Sequence, residues 1–437
     1  MEWHRQYKDK LRTADEVAAM VKSGEQVIVG CMSEPRALGE ALARRVNELE
    51  GVTILQPIIT QHFDWFNPGY EKAFNVVTGF AGRPAYQAVR EGRLTNTISS
   101  GIQPTIPQRL PADWCTYDWF FIPLSPPDDN GYLSYGSMLW MSRILSRTSK
   151  RVVAEVVPGM VRPFGEGYIH ISEVDYIVEG SALPAQWMPQ REITDIDAQR
   201  IEAIGSLVAS LINDGDTIQM GTGTVSSTIM PYFEDKHDLG FHSELSLPGI
   251  VPLVKSGVIN GRRKSREPGK VVATCFVVDE EDFAYIDSNP GWELRDWSYT
   301  NHPMVIAQQD NMTCINQVLT MDLTGQSTAE SIGPRIISGA GGAVLFGFGC
   351  SMARGGKNIQ VVESTNPKTG ESNIVSQLPP HTVTTLPRGF CQFVVSEFGI
   401  ASMAGKTERQ RIEEMIAIAH PDHRAGLREE ARKVWLH

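Results

Sequence analysis

The stretch Ile204-Gly-Ser-Leu-Val-Ala-Ser-Leu-Ile-Asn-Asp-Gly-Asp-Thr-Ile-Gln-Met-Gly221, continued by Thr-Gly-Thr-Val-Ser-Ser-Thr-Ile-Met230, sets the reading of the whole chain. Ile201, Ile204, Leu207, Val208, Leu211 and Ile212 recur at three- and four-residue steps, which predicts an amphipathic helix. Asp214-Gly215 ends it. Thr217–Met220 then reads as a short buried strand, and Gly221-Thr-Gly-Thr-Val225 leaves it to enter a second helix. The same order occurs about 190 residues upstream. There Ala14-Asp-Glu-Val-Ala-Ala-Met-Val-Lys-Ser-Gly-Glu-Gln-Val-Ile-Val-Gly30 leads into Cys-Met-Ser-Glu-Pro-Arg-Ala-Leu-Gly-Glu-Ala-Leu42. Each copy reads as helix, glycine turn, strand, Gly/Ser loop, helix. A repeat at so long a period indicates a duplicated domain rather than a solenoid.

The remaining strands fit this picture. Val52–Leu55, Arg151–Val157, Val271–Val278 and Gln360–Glu363 are short and β-branched, and several are unbroken apolar runs, as expected of parallel strands covered on both faces. Helical stretches lie between many of them. The fold class is therefore α/β, with two similar open domains whose sheets are mostly parallel. The boundary falls near Leu183–Gln190, giving an N-terminal domain over 1–187 and a C-terminal domain over 188–437. Ser125-Pro-Pro-Asp-Asp-Asn-Gly131 is a turn-rich loop, and Asp422–Val434 a charged, solvated helix.

Composition excludes several classes. With 40 basic against 51 acidic residues, a net charge of −11, the chain lacks the basic surface of a general nucleic-acid binder. The N-terminus, Met1-Glu-Trp-His-Arg-Gln-Tyr-Lys-Asp-Lys10, has no apolar core of a secretory signal. The longest apolar run, near Ala343–Cys350, is broken by glycine and far short of the roughly 20 residues of a membrane helix. The six cysteines (Cys31, Cys115, Cys275, Cys314, Cys350, Cys391) are scattered without a CxxC pair, which reads as buried free thiols. These features together suit a cytoplasmic protein with no membrane partner.

Three segments could carry chemistry. Gly221-Thr-Gly-Thr-Val225 places backbone N–H groups where they could meet an anion or an oxyanion at a helix start. It lacks the third glycine of a dinucleotide fingerprint and the Gly-Lys-Ser/Thr of a P-loop, and a plain tight turn is the alternative. Ser338-Gly-Ala-Gly-Gly342 has three glycines in four positions, enough for a nest of converging N–H groups, and runs into the apolar Ala343-Val-Leu-Phe-Gly-Phe-Gly349. Phe241-His-Ser-Glu-Leu245 offers Glu244 as a base, ligand or nucleophile, against the alternative of a solvated loop glutamate. His237 and His242 lack a third ligand at useful spacing, so no metal is expected. His420-Pro-Asp-His423 reads as a helix-entry turn, and the basic run Gly261-Arg-Arg-Lys-Ser-Arg266 as a solvated turn between strands, with phosphate binding the alternative.

Together these segments resemble the acetyl-CoA hydrolase/transferase family, in its 4-hydroxybutyrate and butyrate/acetate CoA-transferase branch. The resemblance is carried by Ser125–Tyr132, Gly167–Asp175, Asp322–Gly333, Gly339–Gly342, Glu397–Ile400 and Ala417–Asp422, spread in order along the chain. It implies the family I CoA-transferase fold, and coenzyme A as acyl-CoA co-substrate with no metal. It also implies a small carboxylic acid as the other substrate and a homodimer or homotetramer, while the acidic charge balance leaves no nucleic-acid partner. The glutamate of the family's His-Ser/Thr-Glu motif falls on Glu244, the expected catalytic nucleophile that carries a glutamyl-CoA thioester. The oxyanion hole falls on the N–H groups of Val225 and Gly342. CoA contacts are expected from Gly221, Thr222, Gly223, Thr224, Val225, Gly339, Gly341, Gly342 and Lys357.

The departures point to the substrate. Acetate- and hydroxybutyrate-using relatives usually follow the Gly-x-Gly-Gly loop with Gln and, shortly after, Asp-Phe, and relatives often follow the Glu motif with Ser-Asp-Gly. This chain has Ala343, Leu345-Phe346 and Ser246-Leu-Pro-Gly249 instead. Loss of the acid favours a larger or dicarboxylic acyl group, and the chain is similar here to bacterial itaconate CoA-transferases, which use succinyl-CoA. The expected activity is CoA transfer to itaconate, with 4-hydroxybutyrate or butyrate next. The competing readings are an acyl-CoA hydrolase on the same scaffold and a non-catalytic CoA-binding subunit, which would not need to keep Glu244.

Overall fold

The computed structural model describes residues 2–80, 82–96, 116–181 and 193–435. The chain divides into two compact units. One comprises Met1–Pro189 with Thr274–Phe276 and Glu281–Ser298; the other comprises Gln190–Ala273, Val277–Glu280 and Tyr299–His437. The boundary expected near Leu183–Gln190 lies outside the described residues, as does Cys115.

In the first unit a seven-stranded sheet runs, in spatial order, Tyr176–Glu179, Val152–Val156, Trp119–Leu124, Gln26–Val29, Val52–Leu55, Phe74–Thr78, Leu94–Asn96. All neighbours are parallel. Every side chain of Trp119–Leu124 and of Val152–Val156 is buried, which is why these segments read as unbroken apolar runs. In the second unit the sheet includes, as successive neighbours, Gly399–Ser402, Phe393–Ser396, Lys357–Val361, Met312–Gln317, Thr217–Met220 and Gly240–Leu245, parallel except for the hairpin of Phe393–Ser396 with Gly399–Ser402, and Val271–Cys275 lies on the far side of Gly240–Leu245.

The two copies match in topology. Gln26–Val29 lies between Val52–Leu55 and Trp119–Leu124, and Thr217–Met220 lies between Gly240–Leu245 and Met312–Gln317. In each unit the chain lays strands to one side of the central strand and then returns to the other. The loop that leaves the central strand therefore sits at a topological switch point, where open α/β sheets bind ligands. The helices that precede these strands also start alike. Thr13 and Glu16 form a capping box on Ala14–Met20, and Thr194 and Asp197 form one on Asp195–Leu211.

The copies diverge after the central strand. Helix Arg36–Ala43 follows the first loop as expected, but no helix follows Gly221–Val225. A series of turns leads instead to the single 3-10 turn Met230–Phe233. The reason lies in the hydroxyl run. Ser226 Oγ donates to Gly221 O, Ser227 Oγ to Gly223 O, and Thr228 Oγ1 to Thr224 O and Val225 O, and Pro231 follows. Side chains that bond the backbone so closely compete with helix formation.

Candidate active site

Glu244 is the penultimate residue of strand Gly240–Leu245 and its one incompletely buried position. Side chains alternate along a strand, so Gly240, His242 and Glu244 share one face. The register pairs Thr217 with Gly240 and Ile218 with Phe241. Carried forward, it brings Gly221 level with Glu244 on the neighbouring strand, about 4.8 Å away. Ser243 Oγ donates to Met220 O at 3.3 Å and helps hold the two strand ends together. The first glycine loop and the glutamate thus meet at the C-terminal edge of the sheet.

The second glycine loop arrives from the other direction. Gly342 caps the ten-residue helix Ala343–Met352. A Cβ placed on Gly342 would stand 2.1 Å from Glu244 Oε2 and 2.7 Å from Asn301 Nδ2. The carboxylate therefore lies directly against the start of this helix, where unpaired N–H groups and the positive end of the dipole favour negative charge. The helix-start electrostatics expected of Gly221–Val225 are found at Gly342 instead.

Asn301 completes the cluster. It is fully buried, and its Nδ2 donates to Glu244 Oε2 at 2.5 Å. Its segment, Tyr299-Thr-Asn-His302, carries no spacing that could have announced it. His242 is also fully buried, with Nε2 2.9 Å from the Thr300 carbonyl, so Nε2 carries the proton and donates. Burial, aided by the positive charge of Lys264, pushes its pKa down to about 4 and keeps the ring neutral. It is a holding group rather than a metal ligand. Among the described residues no three His, Cys, Asp or Glu side chains are grouped to hold a metal.

The Gly221–Val225 loop is wrapped on Gln317, at the end of strand Met312–Gln317. Val225 N–H donates to Gln317 Oε1 at 3.0 Å, and a Cβ on Gly223 would lie 2.2 Å from that oxygen. Gly221 is held likewise against Asn316 Oδ1, 2.4 Å from where its Cβ would be. The Val225 N–H expected to serve an oxyanion is thus bonded to a carboxamide oxygen in this structure.

Lys357 is not brought to this edge. It begins strand Lys357–Val361, and its Nζ donates to Asp216 Oδ2 at 2.5 Å and to Leu211 O at 2.9 Å. Asp216 immediately precedes Thr217–Met220, so the pair sits at the N-terminal ends of parallel strands, one strand length from Gly221. Lys357 is 16% and Asp216 3% exposed, so removal of the lysine strands a buried charge. We expect Lys357→Met to lower stability by about 3 kcal/mol in urea unfolding and to leave the KM for acyl-CoA within twofold. A rise in KM at unchanged stability would return Lys357 to the binding site.

The other segments take structural places. Lys264 of the basic run is buried, donating from Nζ to Phe241 O and Lys270 O at 3.0 Å each, while Arg262 and Arg263 are exposed. The run is thus only partly the solvated turn that was expected. His420 caps helix Pro421–Val434 by accepting from Asp422 N. Cys314, Cys350 and Cys391 are buried free thiols, and Cys31 and Cys275 are buried as well. Leu247 and Leu345 are buried at 1% and 3% exposure. No helix among the described residues is long and apolar enough to cross a membrane.

Residues 1–189 match the acetyl-CoA hydrolase/transferase N-terminal domain and residues 279–431 the C-terminal domain of the same description. The chain belongs to the acetyl-CoA hydrolase/transferase family. Within that family it is similar to the 4-hydroxybutyrate coenzyme A transferase of Clostridium kluyveri, 35% identical over 99% of this chain and 100% of that one. Among solved structures it is similar to RipA from Yersinia pestis, 29% identical with a TM-score of 0.90 over the full length of both chains. It is also similar to a 4-hydroxybutyrate CoA-transferase from Porphyromonas gingivalis, 29% identical with a TM-score of 0.79 over 99% of each. Like these family members, the chain has mostly parallel α/β sheets, and it is an enzyme, a CoA-transferase.

Proposed function

We propose that this chain moves CoA from a donor such as succinyl-CoA to a small carboxylate, with itaconate the first choice and 4-hydroxybutyrate or butyrate next. The exchange runs through a glutamyl-CoA thioester on Glu244. One observation carries the reading: a carboxylate held by a buried amide, set against a helix start, at the switch point of a parallel sheet. The dicarboxylic preference rests on Leu247 and Leu345, buried apolar side chains at positions where the family resemblance leads one to expect acids.

The chemistry is balanced at each step. A Glu244 oxygen attacks the thioester carbonyl of the donor, and the tetrahedral oxyanion collapses to expel CoA thiolate and leave a mixed anhydride. The thiolate attacks the glutamyl carbonyl, releasing the donor acid and forming glutamyl-CoA. The acceptor carboxylate attacks that thioester to form a second anhydride and again frees the thiolate. The thiolate then attacks the acceptor's acyl carbonyl, giving the new acyl-CoA and restoring Glu244. Every intermediate is an activated acyl group comparable in energy to a thioester, so no ATP is required.

Each oxyanion needs donors. We assign these to the Gly342 N–H and, once an oxyanion displaces Gln317 from it, the Val225 N–H, each worth about 3 kcal/mol. The glycines of Gly221–Val225 and Gly339–Gly342 let backbone approach CoA, and Lys357 is left out of the contact set. Remote binding of the long CoA chain supplies energy that can be used at the thioester.

The test is chemical trapping. The protein is incubated with succinyl-CoA without acceptor, reduced with borohydride and digested for mass spectrometry. Reduction of Glu244 to the alcohol is the expected result. An unmodified Glu244 alongside steady release of free CoA would establish direct hydrolysis instead. A panel of acetate, 4-hydroxybutyrate, butyrate and itaconate then ranks the acceptors by kcat/KM.

A further inference from the structure

Three hydrogen bonds among His242, Thr300, Asn301 and Glu244 stand behind the carboxylate. His242 Nε2 donates to the Thr300 carbonyl at 2.9 Å, the Thr300 hydroxyl donates to Asn301 Oδ1 at 3.0 Å, and Asn301 Nδ2 donates to Glu244 Oε2 at 2.5 Å. His242, Thr300 and Asn301 are each fully buried, so no bulk water can replace a missing link.

The middle link decides an orientation. A carboxamide presents an oxygen and an NH2 of nearly the same shape and opposite polarity. Turned over, Asn301 would fill the same space but set Oδ1 against the Glu244 carboxylate. When Glu244 is ionised it selects the NH2 by itself. When it is an anhydride or a thioester it is a far weaker acceptor, and that selection fades midway through the exchange. The Thr300 hydroxyl does not change with the reaction. Its proton has one acceptor among the described residues, Asn301 Oδ1, and turning the amide over would leave that buried proton unpaired. His242 fixes the peptide that carries the hydroxyl, and its ring lies on the same strand face as Glu244.

We propose that Thr300, on a peptide pinned by His242, is a positioning residue that locks the Asn301 amide with its NH2 toward Glu244 at every stage of acyl exchange. This inference rests on the reading of Glu244 as the nucleophile.

The experiment is a set of variants assayed for CoA transfer from succinyl-CoA, with kcat and KM determined separately. Thr300→Val keeps the volume and removes the hydroxyl; Thr300→Ser keeps the hydroxyl. Thr300→Val should lower kcat about 10- to 100-fold with KM within twofold, and Thr300→Ser should recover kcat to within about threefold of the parent. In an Asn301→Ala background, Thr300→Val should add nothing, because the group it acts through is gone. Parent-like kcat in Thr300→Val overturns the proposal, as does a loss that Ser does not recover or that adds in full to Asn301→Ala. If Thr300→Val does not fold, Thr300→Ala, which cannot clash, takes its place under the same criteria. Glu244→Ala, assayed alongside, separates the two levels. Retained activity there removes the nucleophile reading, whereas an inactive Glu244→Ala with a parent-like Thr300→Val removes only the positioning role.

Discussion

Glu244→Gln and Glu244→Ala are each expected to lower kcat for CoA transfer by about 10⁴-fold or more, the scale on which a covalent nucleophile matters. The two variants fail for one chemical reason but differ physically. Glutamine keeps the length of the side chain, and its Oε1 can still accept from Asn301 Nδ2, so the packing around the site survives. Its amide nitrogen is not nucleophilic, and no glutamyl thioester can form. Alanine removes the acceptor altogether and leaves the fully buried Asn301 amide short of a partner, at a cost of about 1–3 kcal/mol. Thermal unfolding should therefore leave Glu244→Gln close to the parent and place Glu244→Ala below it, while both are inactive. Residual transfer above about 1% in either variant would show that acyl exchange proceeds without the carboxylate.

The fold was legible wherever local pattern and tertiary environment agreed. Thr217–Met220 and Val52–Leu55 occur at the bounds expected because short β-branched runs between turn residues are what a covered parallel strand requires. Strand ends were less legible. Gln360–Glu363 was expected, but the strand is Lys357–Val361, because pairing with Met312–Gln317 begins at Lys357 and no apolar residue marks that start. The absent helix after Gly221 was hidden for another reason. Its hydroxyl residues are tolerated in helices, and only their bonds to Gly221, Gly223, Thr224 and Val225 carbonyls show that they serve turns here.

The site divides in the same way. Gly221 follows the strand Thr217–Met220, next to the strand that carries Glu244, and the two are close in sequence, so local reading could pair them. Gly342 joins them from about 100 residues away, and here the glycine pattern was the signal, since an N-terminal helix start with no side chain is what lets a carboxylate approach. Asn301 gave no signal. A single asparagine in a polar tetrapeptide is ordinary, and its role exists only because His242 and Thr300 carry its segment onto the strand face of Glu244. Lys357 misled in the opposite direction. The family resemblance placed it among the CoA contacts, but strand direction puts it at the opposite end of the sheet from Glu244, where Asp216 takes its charge.

Gly342→Ala should lower kcat about 10²- to 10³-fold while leaving the fold nearly as stable as the parent, and the backbone explains why these two effects separate. Gly342 has φ −82° and ψ −5°, a right-handed conformation that alanine adopts without strain. The cost of losing glycine at a helix N-cap is about 1 kcal/mol. The obstacle is the reaction centre itself: the added methyl would stand 2.1 Å from Glu244 Oε2 and 2.7 Å from Asn301 Nδ2. No unbonded carbon can occupy that position, so the carboxylate must swing away, break its bond to Asn301 and leave the N–H groups at the start of Ala343–Met352. A displacement of about 1 Å in a reacting group can cost 10²-fold, and loss of an oxyanion donor adds to it. Gly341 provides the contrast, because its φ of +54° lies in the left-handed region. Gly341→Ala should lower stability by about 1–2 kcal/mol through backbone strain, so its defect should appear in the unfolding midpoint as well as in kcat. If Gly342→Ala instead unfolds early and retains catalysis in its folded fraction, the glycine serves the helix start rather than the carboxylate. The opposite result, a stable and inactive protein, identifies the missing Cβ as the space that Glu244 needs.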